Sequence, residues 1–194
     1  MGFRRSGDHI YRPWCDDCGE CKSVRIPLPD YKLSKSQKRV INRNKDLQVS
    51  FEKPELNDEY YQLYQNYITA RHRDGDMFPP SQEQYSSFLC QSPPSSNSQF
   101  ICFRLDGRLI SIAVVDLLPN GLSAIYTFFD PAEEIRGLGK LAIVWQIQWA
   151  QKQGLDFLYL GYWIKECQKM AYKAEYKPIQ VFEDLMWQPL KLDL

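Results

Sequence analysis

Several features that mark common classes of protein are missing from this chain. No run approaches the ~20 apolar residues that a membrane-spanning helix needs, and the start has no apolar stretch like that of a secretory signal. Lysine plus arginine and aspartate plus glutamate each number 24, so net charge gives no support for nucleic-acid binding. No internal repeat or low-complexity tract is present. We therefore expect a soluble, cytoplasmic protein with one main domain.

The six cysteines do not have the pattern of a secreted disulfide framework, because three are crowded together and three are scattered. The crowded ones, Cys15, Cys18 and Cys21, have a C-x-x-C-x-x-C spacing that lets at least two thiolates reach one ion. A tetrahedral site needs a fourth ligand, and His9 is a candidate near them in sequence. The open interpretations are a structural zinc ion, an iron-sulfur cluster and three free thiols in a small turn-rich module.

Hydrophobic periodicity and turn residues predict an α/β (α+β) fold. The Asp-Gly pair at 106–107 and the Asn-Gly pair at 120–121 are strong hairpin signals, so three consecutive strands should form an antiparallel meander. Residues 1–46 are predicted as a small cysteine-containing module plus a basic helix, and 47–194 as the main domain. The predicted elements, in chain order, are a helix at 34–44, a strand at 47–51, helices at 57–69 and 81–88, strands at 99–105, 108–117 and 122–129, a helix closed by Gly154, a strand at 155–160 and a helical stretch at 163–172.

The later part of this order resembles the GNAT acyltransferase fold, which has a mixed, largely antiparallel sheet. A meander is followed by a helix opened by small residues and then by a strand parallel to the last one. In that fold the segment Arg136-Gly137-Leu138-Gly139 would occupy the turn that cradles a pyrophosphate through backbone N–H groups at a helix N-terminus. Such a short segment can equally be a simple tight turn.

Six short segments carry a more specific resemblance. They are GFRRSG (2–7), YRPWCDDCGEC (11–21), RHRDGDMFPP (71–80), YTFFDP (126–131), YLGYWI (159–164) and KMAYK (169–173). In this order they resemble the aminoacyl-tRNA protein transferases, and most closely the bacterial aspartate/glutamate leucyltransferases, over nearly the whole chain. Family members usually carry several dozen residues before GFRRSG, including a further cysteine, whereas Met1 precedes it directly here. We therefore expect either a fragment or a start that was placed late.

The resemblance implies an enzyme that moves an amino acid from a charged tRNA onto the N-terminus of a protein and so marks that protein for degradation. The acceptors would begin with Asp or Glu. Leucine is favoured over arginine as the donor because RHRDGDM and YLGYWI resemble the leucyl subgroup. The transfer itself needs no cofactor. The alternatives are an arginyl transferase with the same acceptors, an N-acetyltransferase that uses acetyl-coenzyme A, and a non-catalytic RNA-binding module.

The expected reaction is aminolysis of an activated ester, so positioning supplies much of the rate. No serine-histidine or cysteine-histidine pair is evident as a nucleophile system, which favours direct transfer without a covalent enzyme intermediate. A base must accept a proton from the attacking amine. The negatively charged oxygen of the tetrahedral intermediate needs a hydrogen-bond donor to stabilise it. The candidate catalytic residues are His72, Asp74, Asp76 and Asp130 as bases and Tyr126 as a hydroxyl in the cleft. For Asp130, which precedes a proline, capping the turn is the alternative role.

The two substrates call for different contacts, a cation for the acceptor's carboxylate and donors for the tRNA. The candidate substrate-binding residues are Arg71, Arg73, Arg136, Lys169 and Lys173 for the carboxylate, Gly137 and Gly139 for the terminal phosphates or ribose, and Tyr159 and Tyr162 at the cleft.

Residues 31–45 carry six lysines and arginines and no acidic residue, which is the usual electrostatic footprint of a phosphate-binding surface. From charge alone a solvated helix face is the alternative, and the family resemblance favours tRNA binding. The candidate contacts within this segment are Lys38, Arg39 and Arg43.

Overall fold

The computed structural model describes residues 2–16 and 18–191, which form ten strands and five α-helices. The strands are β1 (Arg4–Ser6), β2 (His9–Tyr11), β3 (Lys22–Pro27), β4 (Gln48–Glu52), β5 (Asn97–Leu105), β6 (Arg108–Leu118), β7 (Gly121–Phe129), β8 (Phe157–Trp163), β9 (Gln180–Glu183) and β10 (Met186–Pro189). The helices are α1 (Lys35–Arg43), α2 (Asp58–Arg71), α3 (Gln82–Tyr85), α4 (Leu138–Lys152) and α5 (Gln168–Ala171). A π-helical turn (Ser86–Cys90) follows α3, and 3₁₀ turns precede α4 (Pro131–Arg136) and follow α5 (Tyr172–Glu175). Within the described ranges, none of these helices combines the length and apolarity needed to cross a bilayer.

Eight strands form one sheet in the order β10-β9-β3-β8-β7-β6-β5-β4, while β1 and β2 form a separate hairpin. Neighbouring strands run antiparallel except for β7 and β8, so the predicted mixed, largely antiparallel sheet is confirmed. The parallel pair is short, because its register extends only from Gly121 opposite Phe157 to Ser123 opposite Tyr159. Beyond that point β7 and β8 separate and leave a wedge in the middle of the sheet.

Both faces of the sheet are covered by helices. Successive side chains of β5 point to opposite faces of the sheet. Phe100 and Cys102 pack into the core under α2 and α3, whereas Ile101 and Phe103 pack into the core under α4. These side chains are almost completely buried on both sides. Nearer the wedge, α2 contacts β7 on one face, and α4 contacts β7 and β8 on the other.

Helix α1 confirms the predicted basic helix, with Ser34 as its N-cap. The Ser34 hydroxyl accepts a hydrogen bond from the backbone N–H of Gln37, and the Gln37 side chain accepts one from the backbone N–H of Ser34, which completes a capping box. Asn57 caps α2 in the same way by accepting from the backbone N–H of Tyr60. The two hairpin turns are also confirmed, because they join β5 to β6 and β6 to β7.

One sequence prediction needs correction. Trp163, placed in the final helical stretch, is the last residue of β8 and pairs with Lys22 of β3. The helical segment therefore begins later, at Gln168. Strand β3 lies within the predicted 1–46 segment yet pairs with β8 and β9 inside the main sheet, so this sheet draws strands from both sides of the predicted boundary.

Candidate active site

A cavity of about 600 Å³ opens where β7 and β8 separate. It is lined by β7, the start of α4, the end of α2 and the segment from Lys169 to Tyr176. The pairing of β7 with β6 shifts in register at Ile125, which is the extra residue of a β-bulge. A bulge redirects the backbone next to it and is common beside functional sites. Five of the predicted site residues meet in this cavity, namely His72, Tyr126, Gly139, Lys169 and Lys173.

His72 caps the C-terminus of α2, where its backbone N–H donates to the carbonyl of Ile68 at 2.9 Å. Its ring stands edge-on to Tyr67, with 5.2 Å between the ring centroids. Burial and then the nearby charge of Lys169 lower the pKa of His72 below its ordinary value of 6.5. The imidazole is therefore mainly neutral at pH 7, which is the form that accepts a proton.

Tyr126 projects from β7 into the same cavity, with its hydroxyl 3.6 Å from the sulfur of Met77. Burial raises the pKa of Tyr126 well above its ordinary value, so the phenol keeps its proton at neutral pH. A protonated phenol that lines the cavity can donate a hydrogen bond to an oxyanion.

Two lysines contribute positive charge to the cavity lining. The Lys173 ammonium donates to the backbone carbonyl of Tyr162, and burial followed by repulsion from Arg4 lowers the pKa of Lys173 to about 8. Lys173 is still mainly protonated at pH 7. Lys169 is exposed at the rim, where its ammonium lies 3.4 Å from a carboxylate oxygen of Asp74.

Arg4 is a cavity residue that was not among the predicted site residues. Its Nη2 donates to the carbonyl of Ala124 at 2.8 Å, and its buried Nη1 has no hydrogen-bond partner among the described residues. The guanidinium packs on Gly161, where a Cβ would lie only 2.6 Å from Cζ, and the φ of +80° also favours glycine there. The signal for Arg4 was present in the sequence, since GFRRSG contains it.

The start of α4 forms part of the cavity wall through Gly139. Gly137 has a left-handed φ of 65° and marks the point where the 3₁₀ turn ends and α4 begins. The first N–H groups of a helix lack partners within it, so this end of α4 offers donors and the positive end of a helix dipole. Arg136 is held away from the cavity by ion pairs to Asp46 at 2.9 Å and Glu133 at 3.0 Å.

Six other predicted site residues lie outside the cavity lining. Each is either exposed or engaged with the protein itself. Arg71 pairs with Glu134, and Arg73 donates to the Thr69 carbonyl. Asp76 is exposed, while Asp130 accepts hydrogen bonds from Arg108 and from the backbone N–H of Ala132. Tyr159 packs on Trp187, and the Tyr162 hydroxyl donates to the carbonyl of Gly2.

The three crowded cysteines lie away from this cavity, beside a pocket of about 270 Å³. Cys15 and Cys18 form an isolated β-bridge and are exposed. All three cysteines line this pocket, and burial followed by the neighbouring thiols raises the pKa of Cys21. The described residues nevertheless include no group of three or more His, Cys, Asp or Glu side chains arranged to hold a metal ion. His9, the suggested fourth ligand, is mostly exposed beside Asp8.

The basic helix α1 packs on α4, whose first turn lines the cavity. Lys38, Arg39 and Arg43 are exposed. The Arg43 guanidinium donates to the carbonyl of Ile135, and the Asn44 amide donates to the carbonyl of Arg136 at 2.9 Å. These bonds attach the end of the basic surface to the turn before α4.

Comparison with known proteins relates the sequence of this chain to one family. The family model described as "Arginine-tRNA-protein transferase, C terminus" matches residues 59–183, and the corresponding N-terminal model matches residues 1–39. An aspartate/glutamate leucyltransferase of Pseudomonas fluorescens (strain Pf0-1) is 56% identical over 187 residues, which are 96% of this chain and 79% of the relative.

Two solved structures share the fold at low sequence identity. One is the C-terminal DUF2156 domain of an Agrobacterium fabrum protein assigned as a lysylphosphatidylglycerol synthetase, with a TM-score of 0.58, 13% identity and coverage of 87% of this chain and 58% of that one. The other contains a fungal GCN5-related glucosamine N-acetyltransferase region, with a TM-score of 0.50, 11% identity and coverage of 83% and 19%. They confirm the GNAT-like acyltransferase architecture. The two family matches and the leucyltransferase relative together show that the chain belongs to the arginine-tRNA-protein transferase family, in its bacterial leucyltransferase subgroup.

Proposed function

We propose that this protein transfers leucine from leucyl-tRNA to the N-terminal amine of proteins that begin with Asp or Glu, which marks them for degradation. The observation that carries the proposal is the cavity between β7 and β8. It brings a neutral imidazole, a protonated phenol and several cations together in a chain that is 56% identical to a leucyltransferase.

In the proposed reaction the acceptor's α-amine attacks the ester carbonyl of leucyl-tRNA. A C–N bond forms, the C–O bond to the ribose breaks, and the released ribose oxygen takes up a proton. A free α-amine has a pKa of about 7.7–8.0, so a large share of it is protonated at neutral pH and must first lose a proton. His72 is placed to accept that proton, because it lines the cavity and is mainly neutral.

The tetrahedral oxyanion needs a hydrogen-bond donor, and we assign this role to the Tyr126 hydroxyl. Because the ester is already activated, orientation and oxyanion stabilisation supply the main part of the rate. The reaction contains no redox step, and the ribose leaves without a covalent enzyme intermediate.

The lining of the cavity supports leucine as the donor. Ile125, Phe129, Ile143 and Leu160 provide apolar walls for a leucyl side chain. A guanidinium would instead need an acidic partner. Glu175 is the acidic residue among the described lining side chains, and it already pairs with Lys140 at 3.2 Å.

We further propose that α1 binds the tRNA. Replacing Lys38, Arg39 and Arg43 with alanine should weaken tRNA binding and reduce the slope of log affinity against log salt by about one unit for each phosphate that is no longer neutralised. Titration of tRNA at several salt concentrations measures this slope, with Lys53→Ala as a control for the removal of an exposed cation elsewhere. An unchanged slope in the triple variant would assign α1 to an ordinary solvated surface.

For Cys15, Cys18 and Cys21 we propose a structural role remote from the transfer step, whether or not they hold a metal ion. Replacing all three with serine should lower the thermal midpoint of unfolding and leave kcat unchanged, since their pocket is separate from the cavity. Elemental analysis of both proteins shows whether zinc or iron disappears together with the thiols. Retained stability and tRNA affinity together with abolished transfer would contradict the structural role.

The function is tested by incubating the protein with labelled leucyl-tRNA and peptides that differ only in their first residue. We expect leucine on Asp-first and Glu-first peptides and little on Asn-first or Gln-first peptides. A parallel incubation with acetyl-coenzyme A tests the acetyltransferase alternative. Acetylated product without leucylated product would overturn the proposal, and tRNA binding without any product would favour an RNA-binding module. Location in the cytoplasm, where aminoacyl-tRNA is present, stays a prediction.

A further inference from the structure

We propose that Arg4, assisted by Lys173, is the receptor for the side-chain carboxylate of the acceptor's first residue and so determines the choice of Asp or Glu. This inference rests on the proposed function and adds a specificity-determining residue to it. Four observations support it, namely an incomplete set of partners for Arg4, its position in the wedge, a second cation beside it and the engagement of the other arginines.

The first observation is the contrast between Arg4 and its neighbour in sequence. Arg5 is buried and fully partnered, because its Nε and Nη2 donate to both carboxylate oxygens of Asp116 at 2.8 Å. Among the described residues Arg4 has no carboxylate partner, and its buried Nη1 donates to none of them. A buried guanidinium without a carboxylate is unfavourable, so a bound carboxylate would stabilise it.

The second observation is the position of Arg4. Its guanidinium sits in the wedge, between the carbonyl of Ala124 on β7 and the backbone of Gly161 on β8. It lines the central cavity, which also contains His72 and Tyr126. A ligand held by Arg4 would therefore lie in the same cavity as the groups assigned to the transfer step.

The third observation is a second cation next to Arg4. Lys173 lines the same cavity, and its ammonium makes its described hydrogen bond to a neutral carbonyl rather than to a carboxylate. Repulsion from Arg4 also contributes to the lowered pKa of Lys173, in agreement with their shared place in the cavity lining. An anion bound between them would relieve this repulsion and gain two charge-assisted hydrogen bonds.

The fourth observation concerns the arginines that the sequence offered for this role. Arg71 already pairs with Glu134, Arg136 pairs with Asp46 and Glu133, and Arg73 is exposed outside the cavity. A phosphate of the tRNA is the other anion that could reach the cavity. The N-terminal end of α4, which lines the cavity and packs against α1, suits a phosphate on a polynucleotide, whereas the buried Nη1 of Arg4 suits a small planar carboxylate on a side chain.

The test compares wild type, Arg4→Gln and Arg4→Lys in leucyl transfer to peptides that begin with Asp or Asn. We expect Arg4→Gln to lower kcat/KM for the Asp-first peptide on the order of 100-fold, mainly through KM, because a buried charge pair can no longer form. The preference for Asp over Asn should collapse, while the affinity for leucyl-tRNA should be unchanged. Arg4→Lys keeps the charge and should retain part of the preference. Lys53→Gln removes an exposed charge outside the cavity and should change none of these values.

Calorimetry with the same two peptides and no tRNA provides a second arm that needs no turnover. Wild type should bind the Asp-first peptide more tightly than the Asn-first peptide, and this difference should disappear in Arg4→Gln.

An unchanged Asp preference in the variants would overturn the inference. A loss of tRNA affinity with unchanged peptide affinity would also overturn it, because Arg4 would then be a phosphate site. If wild type transfers no leucine, the proposed function fails, and the peptide-binding arm still decides the role of Arg4. If Arg4→Gln does not fold, Arg4→Lys and Lys173→Gln decide, and full Asp preference in both would overturn the inference.

Discussion

Replacing His72 with glutamine is expected to lower kcat for leucyl transfer by roughly 10²–10⁴-fold, which is the usual contribution of a general base. Glutamine keeps a polar side chain at the end of α2 but cannot accept a proton near neutral pH. The affinity for leucyl-tRNA and the thermal midpoint should change little, since the cap of α2 is formed by the backbone N–H of residue 72. Steady-state kinetics at saturating substrates, with leucyl-tRNA binding measured separately, check this result.

The pH dependence of kcat provides a second test of His72 as the base. Burial and the charge of Lys169 lower the pKa of His72 below 6.5, so the base form persists to lower pH than in a free histidine. Wild-type kcat should therefore fall only below about pH 6.5, and this acid limb should be absent in His72→Gln. Lys169→Gln removes one cause of the shift and should move the limb towards higher pH. An acid limb that is the same in wild type and His72→Gln would show that another group is the base.

Replacing Asp116 with alanine is expected to lower the free energy of unfolding by about 3–5 kcal/mol, because it leaves the buried Arg5 guanidinium without its carboxylate. Both side chains are more than nine-tenths buried, and they are joined by two hydrogen bonds of 2.8 Å. The remaining donors of Arg5 go to the carbonyls of Gly7 and Gln91 and to the hydroxyl of Ser98. Arg5 thus connects the β1-β2 hairpin to the main sheet.

Denaturation in urea, monitored by circular dichroism, measures the effect of Asp116→Ala. Glu134→Ala is the matched control, since it breaks an ion pair whose carboxylate is 76% exposed and should cost about 0–1 kcal/mol. The double variant Arg5→Met and Asp116→Leu should be destabilised less than Asp116→Ala alone, because no charge is left buried and unpaired. Equal destabilisation by Asp116→Ala and Glu134→Ala would contradict this account of the Arg5 interactions.

Much of the fold could be predicted because local chemistry determines it. The Asp-Gly and Asn-Gly turns determine the meander, and Ser34 and Asn57 act as caps where the sequence places them. Strands β1, β2, β9 and β10 have three or four residues each, which is too short for a periodic signal. Their existence depends on pairing with distant parts of the chain, and the same holds for Trp163 in β8.

The candidate site could be predicted in part for a similar reason. The motifs that contain His72 and Tyr126 pointed to the cavity, because both residues lie at or near the ends of long, recognisable elements. Glu134 lies 63 residues from Arg71 in sequence and Asp46 lies 90 residues from Arg136, so these two ion pairs could not be read from local patterns. The GFRRSG motif contains Arg4, but the place of Arg4 in the cavity depends on the separation of β7 and β8, which is a property of the whole sheet.

The most direct test of the central claim is a competition between donors. Equal amounts of leucyl-tRNA and arginyl-tRNA are incubated with the protein and an Asp-first peptide, and the product is identified by mass spectrometry. Our account predicts a peptide extended by one leucine, with little arginylated product. Predominantly arginylated product would contradict the leucyl assignment, and an unmodified peptide with both donors present would contradict tRNA-dependent transfer itself.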